Sequence, residues 1–107
     1  GISSSQIFGD EGDDLILTYD GWNVIAAGSG NDTVFAGNGN DTASGGPGND
    51  YVRGNIGNDK LNGDAGTDSL VGDEQNDTLN GGTGTDKCDG GTQSDTGTQC
   101  EVRISIP

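Results

Sequence analysis

Cut every nine residues from Gly9, the chain reads GDEGDDLIL, TYDGWNVIA, AGSGNDTVF, AGNGNDTAS, GGPGNDYVR, GNIGNDKLN, GDAGTDSLV, GDEQNDTLN, GGTGTDKCD and GGTQSDTGT. Ten units run to Thr98 without an insertion. Such a period constrains the fold more than any composition does. Each repeat is a small unit that buries its apolar side only by stacking on others. Position six is Asp in nine units (Asp14, Asp32, Asp41, Asp50, Asp59, Asp68, Asp77, Asp86 and Asp95) and Asn23 in the remaining one. Position four is Gly in eight, with Gln75 and Gln93 departing. Position eight is Ile16, Ile25, Val34, Ala43, Val52, Leu61, Leu70, Leu79, Cys88 and finally Gly97.

Each unit divides in two. Positions one to six are glycine-rich, as a tight loop with unusual backbone angles requires. Positions seven to nine form a strand too short to stand alone, with position eight facing away from its neighbours. Only 27% of the chain is hydrophobic, and its net charge is −14. By composition it lies close to an acidic disordered chain, with too little apolar surface to offset the entropy of ordering. Disorder, however, has no reason to hold an apolar residue two places after each Asp. Something besides a core must contribute to folding, and the charge suggests a cation.

Several function classes are disfavoured. The acidity argues against nucleic acid, whose phosphates it would repel, and no apolar run approaches a membrane span. With no His, zinc hydrolase and His-assisted nucleophile schemes are missing, so the chain does not read as an enzyme. Its carboxylate pairs recur too regularly for one acid–base cleft. A start at Gly1, the lack of Met and the lack of a signal-like leader read as a processed product or an excised piece.

The repeat resembles the RTX, or haemolysin-type calcium-binding, nonapeptide G-G-x-G-x-D-x-U-x. That resemblance implies an all-β fold, a right-handed parallel β-roll (a β-helix or solenoid) in which two units make one turn. About five 18-residue turns result, with Ca²⁺ between stacked loops. On this reading residues 1–8 are an entry strand and cap, 9–98 the roll, and 99–107 a C-terminal cap. One inward ladder is Ile16, Val34, Val52, Leu70 and Cys88. The facing ladder is Ile25, Ala43, Leu61, Leu79 and Gly97, with Ile7 beneath Ile25.

The resemblance also implies the ligands. Each ion would sit between two stacked loops, held by both position-six side chains and by backbone carbonyls. One edge pairs Asp14–Asp32, Asp32–Asp50, Asp50–Asp68 and Asp68–Asp86. The other pairs Asn23–Asp41, Asp41–Asp59, Asp59–Asp77 and Asp77–Asp95. The carbonyls expected are those of Gly28, Gly30, Gly37, Gly39, Gly45, Gly46, Gly48, Gly54, Gly57, Gly63, Gly66, Gly72, Gly81, Gly82 and Gly84. Hard oxygen donors of this kind suit Ca²⁺. Up to about eight ions would bring sixteen positive charges to the −14 chain and leave about +2. Asn23 lacks a carboxylate, and Gln75 and Gln93 stand where glycine should turn the loop, so their sites are expected to be weaker. Asn31, Asn40 and Asn49, at position five, are expected to be solvated outward side chains. The N-x-T triplets at Asn31, Asn40 and Asn76 read as by-products of the repeat.

Cys88 and Cys100 can form one bridge, clipping the tail over the end of the roll; the alternative is a buried and an exposed thiol. Val102, Ile104 and Ile106 alternate with polar residues as a short half-buried strand would. Outward-facing Leu15, Leu17, Phe35 and Tyr51 form a patch, covered either by Phe8 and the N-terminal segment or by an upstream domain or another copy. Trp22 belongs with them. The function implied by the resemblance is a secreted or cell-surface calcium-binding module that folds on binding the ion, attached to a larger protein. The alternatives are a self-assembling filament or surface layer and, less favoured, an ice-binding solenoid.

Overall fold

In the computed structural model, residues 5–91 and 95–100 and the strand 102–104 are described. The three strand-forming positions of each unit become a strand of three residues, and stacking puts every second unit in the same sheet. One sheet has the order β1 (Gln6–Phe8), β3 (Val24–Ala26), β5 (Thr42–Ser44), β7 (Lys60–Asn62), β9 (Thr78–Asn80) and β11 (Thr96–Thr98). The other runs β2 (Leu15–Leu17), β4 (Thr33–Phe35), β6 (Tyr51–Arg53), β8 (Ser69–Val71), β10 (Lys87–Asp89) and β12 (Val102–Ile104). All pairings are parallel, and between repeat strands they join residues 18 apart, as in Ile16↔Val34 and Ala43↔Leu61. The molecule is an all-β parallel solenoid of about five turns; no helix occurs among the described residues.

Position eight points inward throughout. Val34, Ala43, Val52, Leu61, Leu70, Leu79 and Cys88 are fully buried, Ile25 nearly so, and Ile7 packs partly against them. Each sheet contributes one inward side chain per strand, so the core is a seam two residues wide. Ala27 and Ala36, at position one, are buried with it.

The loops turn where glycine permits. Gly48, at position four, has φ +118°, and a Cβ placed there would lie 2.0 Å from the Gly30 carbonyl oxygen one turn below. Stacking at that distance requires glycine for space as well as for backbone angle. Gln75 keeps the same loop in the left-handed region with φ 75°. An isolated bridge between Ile56 and Glu74 holds that stretch in register. The departure therefore strains the loop without breaking it. Gln93 lies outside the described residues.

The ends differ from expectation in two respects. Phe8 belongs to β1, in the sheet opposite Leu15 and Leu17, and pairs with Ala26. It cannot fold over their patch from there and is itself 63% exposed. At the other end, β12 adds to β10 with Arg103 level with Cys88, and Val102 and Ile104 level with Lys87 and Asp89. The tail thus extends the sheet, in a register that places Arg103 at the position-eight level. The side chains of 102–104, and Ile106, lie outside the described residues. A disulfide joins Cys88 to Cys100, with Cα atoms 5.8 Å apart.

Candidate metal centre

The loops of alternate units stack along each edge, and their position-six side chains point into the stack. On one edge the amide of Asp14 donates to Asp32 Oδ1 at 2.8 Å, Asp32 to Asp50 at 2.8 Å, Asp50 to Asp68 at 2.7 Å and Asp68 to Asp86 at 2.8 Å. On the other the amide of Asn23 donates to Asp41 at 2.7 Å, Asp41 to Asp59 at 2.8 Å, Asp59 to Asp77 at 2.9 Å and Asp77 to Asp95 at 2.7 Å. All eight pairs expected from the 18-residue period are therefore neighbours. Each of these carboxylates from Asp32 onward reaches back one turn and uses one oxygen to satisfy a loop amide.

The second oxygen has no such use. Oδ2 of Asp14, Asp32, Asp41, Asp50, Asp59, Asp68, Asp77, Asp86 and Asp95 is buried without a hydrogen-bond partner. A carboxylate withdrawn from water with half its lone pairs unanswered is unfavourable. Its titration reflects this. Burial pushes the Asp59 carboxyl from the ordinary 3.8 up to about 8, opposed by the Asp41 amide and reinforced by the charges of Asp77 and Asp41. Burial likewise raises Asp68 and Asp77 to about 7, and Asp41 and Asp50 to about 6. Asp14 and Asp95 are raised in the same direction by the same cause.

Part of the loop backbone is also uncommitted. Among the described residues, none of the fifteen glycine carbonyls named above accepts a backbone hydrogen bond. The position-three carbonyls of Pro47, Ile56 and Ala65, by contrast, accept the amides of Gly30, Gly39 and Gly48 one turn below. No group of three or more His, Cys, Asp or Glu side chains converges among the described residues. Each gap thus offers two position-six side chains, with loop carbonyls as the further oxygens the repeat provides. Such an all-oxygen, carbonyl-rich donor set fits a hard cation.

Position five has a task that sequence reasoning missed. The side chains of Asn31, Asn40 and Asn49 are exposed as expected, yet they are not idle. Asn49 N donates to Asn31 Oδ1 and Thr67 N to Asn49 Oδ1, both at 2.8 Å. On the other edge Asn58 N donates to Asn40 Oδ1 at 2.8 Å and Asn76 N to Asn58 Oδ1 at 3.0 Å. Asn accepts from the turn above while Asp accepts from the turn below, so the loops are stitched in both directions. The recurrent Asn before Asp was the available signal.

Leu15 and Leu17, 65% and 49% exposed, lie beside half-buried Phe35 and Tyr51, whose ring centroids are 6.0 Å apart. Leu17 and Phe35 line a groove of about 750 Å³ with Tyr19 and Ile56, crossed by the Arg53–Asp73 ion pair at 2.6 Å. Trp22, 48% exposed, stands on the neighbouring loop.

No curated protein matches the chain, and no solved structure does. A family model does: the RTX calcium-binding nonapeptide repeat (4 copies) matches residues 4–34, 35–70 and 62–96. These stretches span the stacked loops just described. With the nonapeptide register, the parallel solenoid and the buried Asp series in agreement, the chain belongs to the RTX calcium-binding nonapeptide repeat family.

Proposed function

We propose that this chain is an extracellular calcium-binding module that folds on binding the ion and forms part of a larger secreted protein. The observation that carries the reading is the row of nine buried, partnerless Asp Oδ2 atoms beside uncommitted glycine carbonyls. Asp14, Asp32, Asp41, Asp50, Asp59, Asp68, Asp77, Asp86 and Asp95 would supply the carboxylate oxygens, with Asn23 a poorer donor. A divalent cation supplies there the counter-charge that buried carboxylates lack, so its binding free energy becomes folding free energy. The roll itself aligns the donors. Its amide bonds to Oδ1 fix each carboxylate so that Oδ2 faces the gap.

The disulfide supports an extracellular setting, and that setting in turn predicts the affinity. Modules of this oxygen-ligand type in extracellular proteins bind Ca²⁺ with Kd of roughly 10⁻⁴–10⁻³ M. The Cys88–Cys100 disulfide suits an oxidising compartment. Calorimetric titration should give several Ca²⁺ per chain with affinity in that range, and little response to Mg²⁺, which demands a smaller, stricter octahedron. No heat of binding up to 10 mM Ca²⁺ would overturn the reading.

A second element of the proposal is docking at the N-terminal turns. Among the described residues seven large apolar side chains stand exposed, and Phe8, Leu15, Leu17, Tyr19, Trp22 and Val24 fall within one short stretch of sequence, with Ile56 elsewhere. An upstream domain or another copy of the roll would cover them, the latter giving a filament. Sizing in calcium separates the two, since only self-docking is concentration-dependent.

A further inference from the structure

Seven of the eight gaps between stacked position-six side chains are bounded by two Asp, and one is not. The exception lies between the second and fourth units, where Asn23 faces Asp41. Asn23 is 3% exposed and contributes none of the partnerless buried oxygens. Its Nδ2 donates back to the Asp20 carbonyl at 3.4 Å. Position one of the second unit is Thr18, where units five to ten have Gly and units three and four have Ala. The Thr18 hydroxyl donates to the Ala36 carbonyl one turn above it. The amide of Asn38 donates to the Tyr19 carbonyl at 2.6 Å, a stacking bond that Glu74 also makes to Asn55 and Thr83 to Asp64 in gaps bounded by two Asp. The hydroxyl and the amide side chain are therefore what set this gap apart.

We propose that Thr18 and Asn23 close this gap with the protein's own hydrogen bonds, in the place a cation takes in the other seven. The inference rests on the calcium function proposed above and narrows it. A hydroxyl proton directed at the Ala36 carbonyl occupies the lone pair a cation would use, and a neutral amide halves the carboxylate charge. Ca²⁺ needs six to eight oxygens, and here the Thr18 hydroxyl engages the Ala36 carbonyl while Asn23 brings no second carboxylate. Asp41 is not wasted, because its partnerless Oδ2 also borders the gap shared with Asp59. The roll therefore contains one ion-free turn contact, near its N-terminal end.

The test counts ions. Native mass spectrometry at saturating Ca²⁺ compares the full chain with the double variant Thr18→Gly, Asn23→Asp, which restores the residues typical of the other units. The double variant is expected to bind one ion more than the wild type. Equal counts overturn the proposal. Thr18→Val, which keeps the shape and deletes the hydroxyl, guards against a misfolded double variant. Its ion count should stay at the wild-type value, because Asn23 still withholds the second carboxylate; an ion gained by this variant also overturns the proposal. If neither protein binds calcium, the function above fails and this inference with it. If both bind it in equal number, only the assignment of this gap fails.

Discussion

Asp59 borders two gaps, facing Asp41 below and Asp77 above, and burial raises its carboxyl further than that of Asp41, Asp50, Asp68 or Asp77. Asp59→Ala should raise the calcium concentration at the folding midpoint roughly tenfold, since ligand charge count tunes such sites over decades. Asn23→Ala should shift it little; equal shifts in a calcium titration would contradict the stacking by 18. The same carboxylates set a pH dependence with the opposite sign to ordinary acid denaturation. Their folded pKa values, near 6 to 8, exceed the ordinary 3.8, so the metal-free fold binds more protons than the unfolded chain. Its stability is fullest below about pH 4 and is lost as pH rises through 6 to 8. In chelator, circular dichroism should show β structure increasing on acidification from pH 8 to 5. Steric demand is equally local. Gly48→Ala combines a positive φ with a backbone oxygen 2.0 Å away, and should cost roughly 2–5 kcal/mol in denaturant unfolding.

At the level of strands and loops, much was legible because the period forces it. Once Ile16, Val34 and Val52 fall 18 apart, so do their strands, and the inward ladders follow. The recurrence of Asn31 and Asn40 before Asp was legible, but the stitching bonds they accept were not. An exposed amide and a solvated one look alike in sequence, and only stacking reveals the amide hydrogen one turn away. The tail escaped for a related reason. Beyond Thr98 the repeat ends, so alternation of Val102 and Ile104 carries no register. Pairing with β10 places Arg103 level with Cys88 instead. The disulfide holds this last turn, and loops so closed are worth roughly 2–4 kcal/mol. Reduction should loosen β10 through β12 while leaving the amides of Asp41 and Asp50 protected in calcium. Hydrogen exchange showing uniform loss along the chain would contradict a local role.

Across the whole molecule, a seam two side chains wide must hold eight buried carboxylates. The family and the β-roll could be read from the repeat alone, as could the eight Asp and Asn neighbours. The partnerless Oδ2 row could not, since sequence gives spacing but not which oxygen is spent on an amide. In the proposed account that row disfavours metal-free folding at neutral pH, and calcium is the missing term. The most direct test is far-UV circular dichroism of the intact chain at pH 7.5, in EDTA and then with 5 mM Ca²⁺. The account predicts a largely disordered spectrum in EDTA and a cooperative change to β structure with calcium, reversed by chelator. The same β spectrum in EDTA as in calcium would contradict it.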